Sequence, residues 1–209
     1  DDSGAVGNFN TTTGIDYTFT GNPSMYTFDN TNANGGGQDD DWQAITDTKA
    51  NNLIAGEAYR IFIRGDRNYN LDAGPNDADF GPNSDVTLRA TGSLVTGDQT
   101  FSLSATQDFY SLVGNPYQAI VDMNTVMTNT NTNNVNTNYY WVWDPNVSSE
   151  GAYVAVQLSS GNTFEPGTSG GTAVTSAANE YVMPGQSFFV QTASNATADL
   201  AFTEASKSV

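Results

Sequence analysis

Four oxygen-bearing side chains at alternate positions, Asp66, Asn68, Asn70 and Asp72, form the pattern in this sequence closest to a chemical site. Alternating oxygen ligands open the loops that bind calcium, and a hard cation needs no imidazole or thiolate. The match is partial. An EF-hand-like loop wants glycine at its sixth position, where Leu71 stands, and a bidentate glutamate at its twelfth, where Asp77 stands. The Asp39-Asp40-Asp41 run is a second set of carboxylates for such an ion. A structural calcium is therefore the one cofactor the residues suggest, and none is required. Arg64-Gly65-Asp66 spells an adhesion tripeptide, but at a strand end it reads as structural.

Other chemistries are excluded by residue type. The chain holds no His and no Cys, which removes Ser-His-Asp triads, thiolate nucleophiles, thiolate metal sites and imidazole acid–base work. Carboxylate pairs could serve glycoside cleavage, yet Asp108, Asp122, Asp144, Glu150, Glu165, Glu180 and Glu204 are scattered with no local coupling. The expectation is a protein that is not an enzyme. Six basic against 23 acidic residues leave a net charge of −17, so nucleic acid and anionic lipid are repelled. No apolar run reaches the ~20 residues of a membrane span, so direct membrane insertion is not expected.

The elements that must position any site are strands. Aromatics make up 11% of 209 residues and charged residues only 14%; the remaining polarity comes from Asn, Thr, Ser, Gly and Gln, which favour turns over helix interiors. Short apolar or alternating runs predict strands at Tyr17–Thr20, Ser24–Phe28, Tyr59–Ile63, Thr87–Thr91, Thr100–Ala105, Tyr110–Val113, Tyr139–Trp143, Ala152–Leu158, Ser187–Thr192 and Leu200–Thr203. About ten strands predict an all-β fold, a sandwich or jelly roll of antiparallel sheets. The single helical prospect is Ala119–Met127, capped by Asp122. Asn30–Asp41, Asn68–Asp85 and the Asn/Thr tract Thr128–Asn138 read as loops, the last contributing nothing to a core. Residues 1–209 are expected to form one β domain, or two closely packed β subdomains divided near 97–100.

Two turn motifs have backbone explanations. In Gly114-Asn115-Pro116-Tyr117 the glycine is expected to supply an unusual backbone angle, and Pro184-Gly185 predicts a type II turn before a buried strand. With Trp42-Gln43-Ala44-Ile45, Tyr59 through Arg67, Thr87 through Gly92, Leu112 through Tyr117, Tyr140 through Pro145 and Met183 through Gln191, the ordered set resembles secreted cell-surface β-domains of Bacteroidetes-type bacteria. In such proteins the region lies upstream of a type IX secretion sorting domain. The resemblance implies export to the outer cell surface or medium and a β-rich module. An opening at Asp1 without Met suits a processed product, and with no recognisable sorting domain after Phe202-Thr203-Glu204 the expectation is that such a domain was removed or that this is one piece of a processed protein.

The functional expectation is a non-catalytic extracellular structural or adhesive module, a candidate repeating subunit of a surface fibre. Its expected partners are other copies or neighbouring surface proteins. Residues 1–13, with Val6 and Phe9 as isolated apolar points, are a candidate donated strand for assembly. The alternative is a carbohydrate-binding module using Tyr140 and Trp141 from the densest aromatic cluster. Alternation sends Trp141 and Trp143 to one face and Tyr140 to the other, one side core and the other exposed.

Overall fold

A computed structural model describes residues 25–31, 41–45, 52–61, 87, 90–149, 151–164 and 173–208. Among them are twelve strands: β1 (Met25–Phe28), β2 (Trp42–Ala44), β3 (Tyr59–Ile61), β4 (Gln99–Ser102), β5 (Tyr110–Gly114), β6 (Val121–Asp122), β7 (Tyr139–Asp144), β8 (Ala152–Gln157), β9 (Asn162–Phe164), β10 (Tyr181–Val182), β11 (Ser187–Gln191) and β12 (Asp199–Phe202). One short helix, α1 (Met123–Met127), and a 3-10 turn at Glu204–Ser206 complete the set. The fold is all-β, built from several antiparallel sheets. Described residues of Asp1–Thr27, Trp42–Ile54 and Tyr59–Ser93 belong to one compact unit, and those of Phe28–Asp41, Ala55–Ala58 and Leu94–Val209 to another.

In the first unit the order is β2-β1-β3, with Tyr26 opposite Arg60. The Arg60 guanidinium lies 4.2 Å from the centre of the Trp42 ring and 4.9 Å from that of Tyr26. It thus meets two ring faces, the favourable side of an aromatic for a cation.

The second unit carries a five-stranded sheet ordered β5-β11-β7-β8-β9 and two pairs, β12-β4 and β10-β6. Strand alternation assigns Val113, Phe188, Val190, Tyr140, Val142, Val154 and Val156 to one face, and all are buried in a single cluster. Leu200 and Phe202 of β12, Val121 of β6, Val182 of β10 and Met123, Val126 and Met127 of α1 join the same cluster. Phe202 meets Phe101, Tyr117 and Phe188 at ring separations of 5.8, 6.4 and 6.4 Å. A five-residue helix does not hold by itself in water; α1 holds because its three apolar side chains are buried and Asp122 Oδ1 accepts the Asn124 N–H at 2.8 Å.

Several expectations change. The helix starts at Met123 rather than Ala119, because Val121–Asp122 pair with β10 and Asp122 serves as the cap. Thr87, Ala90 and Thr91 lie outside any strand, whereas β2, β6, β9 and β10 arise where no strand was expected. Tyr17–Thr20 and Asn68–Asp85 lie outside the described residues. The Asn/Thr tract does reach the core: Val135 is buried there, and Asn133 and Val135 bridge to Asp199 and Thr192. Pro184-Gly185 makes the expected turn, with Gly185 at φ 75 and the Gln186 N–H donating to Met183 O at 3.1 Å.

Gly114 is needed for space rather than for backbone angle. It is not among the glycines with positive φ, but a Cβ there would fall 2.8 Å from the Glu57 carbonyl oxygen. That carbonyl is backbone and cannot swing aside. Gly114→Ala is therefore expected to lower unfolding free energy by about 1–3 kcal/mol, read by urea denaturation. An unchanged midpoint would show that the Glu57 segment yields freely.

Candidate functional site

The residues singled out for chemistry fall in different places. Asp66, Asn68, Asn70 and Asp72 lie outside the described residues, as do Val6 and Phe9. Among the described residues no three acidic side chains gather as a metal cage. Tyr140 and Trp141 point to opposite faces of β7. Tyr140 is 1% exposed, in the core, and its hydroxyl donates to the Asn179 carbonyl. Trp141 is 7% exposed, packed edge-on with Tyr110 at 4.9 Å, and its buried indole N–H has no acceptor among the described residues. These two rings therefore share no binding platform. On β7 the ring that reaches solvent is Trp143, at 47% exposure. It sits edge-on to Tyr153 at 5.2 Å, and a Cβ on Gly151 would fall 2.5 Å from its Cζ2 atom.

Strand edges are the other surface on which a β domain meets a partner, because each edge carries main-chain donors and acceptors in a row. In the second unit most of those rows are closed by side chains. Asn30 acts as a one-residue strand beside β5: its Oδ1 accepts the Leu112 N–H at 2.7 Å and its Nδ2 donates to Leu112 O at 3.0 Å. The Gly114 N–H next along donates to Gly56 O at 2.8 Å. Beside β9, Thr163 exchanges bonds with Val174. The outward N–H groups of Tyr181 and Met183 on the β10 side go to Asn179 Oδ1 and Gln186 Oε1. On β6, Val121 bridges to Lys207 and Ile120 O accepts the Ser208 N–H. Along β12, Asp199 exchanges both main-chain bonds with Asn133, and the Ala201 N–H donates to Thr132 Oγ1 at 3.0 Å.

The outer edge of β4 differs. The Leu103 N–H donates to Ala198 O at 2.9 Å, which makes Leu103 and Ala198 a hydrogen-bonded pair. By antiparallel alternation Phe101 and Gln99 then bond to β12, while the main-chain groups of Thr100 and Ser102 point away from it. Both residues are exposed, and among the described residues no backbone group or side chain meets that edge. It closes again at Ser104, whose N–H goes to Ser111 Oγ and whose carbonyl accepts from Thr192 Oγ1. Sequence reasoning placed a strand here but missed the edge, since the caps that distinguish it lie far away in the chain.

Two polar clusters brace the surrounding loops. Asp144, buried at the end of β7, accepts from the Ser176 hydroxyl and from the Asn146 N–H at 2.8 Å. Those bonds hold its carboxyl below the usual carboxylate range, against the opposing effect of burial. Tyr117 donates to Gly97 O at 2.7 Å, and Lys207 lies 4.1 Å over its ring. Burial first, then the charges of Glu204 and Asp98, push its phenol up to about 12.

A family model described as Domain of unknown function (DUF8693) matches residues 3–209. No curated protein and no solved structure matches the chain.

Each cluster adds a pH-dependent contribution to folding. Asp144 titrates lower folded than unfolded, so its contribution is present above its ordinary value near 3.8 and lost as pH falls through the folded value. Tyr117 titrates higher folded, so its contribution is complete below pH 10 and lost as pH rises toward about 12. Chemical denaturation across pH should show Asp144→Asn flattening the acid limb and Tyr117→Phe the alkaline limb. Limbs unchanged in both variants would assign the pH limits to other groups.

Proposed function

The chain belongs to the DUF8693 family, and we propose that it is a non-catalytic extracellular structural or adhesive module that associates with other copies by strand addition, as a repeating subunit of a surface fibre. One observation carries the reading: in a unit whose other strand edges are mostly capped, β4 leaves the main-chain groups of Thr100 and Ser102 without a partner among the described residues. Added strands bind through main-chain hydrogen bonds and need no charge, which suits a chain of net −17. The lack of His and Cys supports the non-catalytic part of this reading, and the resemblance to exported Bacteroidetes-type surface proteins supports an outer-surface location.

Thr100→Pro tests it. The Thr100 N–H points away from β12, so proline there removes only the outward donor and spares the β4–β12 ladder. The expected result is association weakened about tenfold or more with little change in melting temperature, measured by sedimentation and thermal unfolding. A wild-type chain that remains single at every concentration, or a variant that associates unchanged, would overturn the reading.

Exposed Trp143 favours a second reading, carbohydrate binding. An indole held beside Gly151 and Tyr153 and 47% exposed offers apolar ring surface of the kind that packs on the C–H face of a pyranose ring. Trp143→Ala is expected to abolish retention on a polysaccharide column while the melting temperature holds. Retention unchanged, or absent in the wild type, would remove this reading.

A further inference from the structure

We propose that β4 pairs with β4 of a second copy, antiparallel and about a two-fold axis passing beside Phe101. This rests on the strand-addition reading and names its partner. Strand pairing needs an unpaired row on both sides. Among the described strands of the second unit β4 retains the longest such row, two successive outward residues against the single outward Tyr110 left on β5, so the best-matched edge on another copy is again β4.

The register follows from the positions of the outward groups. Thr100 and Ser102 flank Phe101 symmetrically. Setting Thr100 opposite Ser102 of the second copy makes each such couple a hydrogen-bonded pair, which exchanges both of its bonds. Phe101 then faces its own counterpart as the close, non-hydrogen-bonded pair. Its ring is half-buried against Phe202 and gains cover from its twin, a favourable cross-strand aromatic couple. The two β12–β4 pairs become one four-stranded sheet.

Charge points to the same segment. Gln99-Thr100-Phe101-Ser102 carries no charge in a chain of net −17, so this edge lets two like-charged bodies meet without apposing carboxylates directly. Asp98 and Asp199 lie close by and repel across the axis, so association strengthens as salt screens them. A two-fold contact is closed on itself, so a fibre built on it repeats in pairs and grows through a second contact.

The chain has no Cys, so introduced thiols are the only ones present. Thr100→Cys and Ser102→Cys chains, made separately and oxidised alone or mixed in equal amounts, read the register. In the proposed pairing Cys at 100 faces Cys at 102 across the axis at about 5.5 Å between Cα atoms, within disulfide reach. Identical positions are offset along the strands and lie out of reach. The expected result is a covalent dimer from the mixture and none from either variant alone, with the yield rising in added salt. Equal cross-linking of the single variants would overturn the register. Wild-type association that survives Thr100→Pro without any cross-link would overturn the pairing while leaving self-association by another contact standing. A wild type that never associates would overturn both.

Discussion

Main-chain groups at the margins of small sheets need partners, and in the second unit short polar side chains supply most of them. A buried donor or acceptor left unmatched costs about 1–3 kcal/mol, so a fold assembled from two- to six-residue strands accumulates such demands at every margin. Asn30, Thr132, Asn179 and Gln186 meet them at the sheet edges. Asn115 does the same inside: its amide donates to Ala119 O and Val182 O, and its carbonyl accepts from the Tyr117 N–H. The Asn- and Thr-rich composition is thereby a structural material as much as a surface coating. Its neutrality matters, since the chain has few cations with which to pair carboxylates.

That edge bonding supports an aromatic core that is partly polar at its tips. Phe202 stands among Phe101, Tyr117 and Phe188, and Phe188 in turn meets Tyr140 at 5.6 Å. The edge-to-face arrangement of most of these rings adds specificity to the area they bury. Each tyrosine of the group runs its hydroxyl out of the apolar region to a loop carbonyl, Tyr117 to Gly97 and Tyr140 to Asn179. The core thus fixes loop positions as well as filling the interior, and burial raises the titration of both phenols.

How much of this was legible in the sequence depended on range. Alternation and apolar runs located β5, β7, β8 and β11 to within a residue or so at their ends, because those strands are long enough to display a period. Asp122 was readable as a cap from local chemistry alone. The two-residue strands β6 and β10 display no period, and they exist because each is held by a partner 59 or more positions away. Val135 looked stranded in a polar tract, yet its own bridge to Thr192 and that of Asn133 to β12 bring it inside. For the candidate site, alternation did assign Trp141 and Trp143 to one face, but which ring is covered depends on distant packing. The β4 edge was wholly illegible: its openness is defined by caps elsewhere, such as Asn30 reaching Leu112 across 82 positions.

The amide that closes β5 also gives the protein a chemical clock. Asn30 can stand in for a strand because one side chain carries both a donor and an acceptor. Spontaneous hydrolysis of that amide leaves a carboxylate, which accepts only. The Leu112 carbonyl then loses its donor and faces an anion at hydrogen-bond distance, so the cap repels where it once bound. Ageing of a single side chain would in this way uncover a second sheet margin, and old molecules would become stickier than new ones without any change in the rest of the chain.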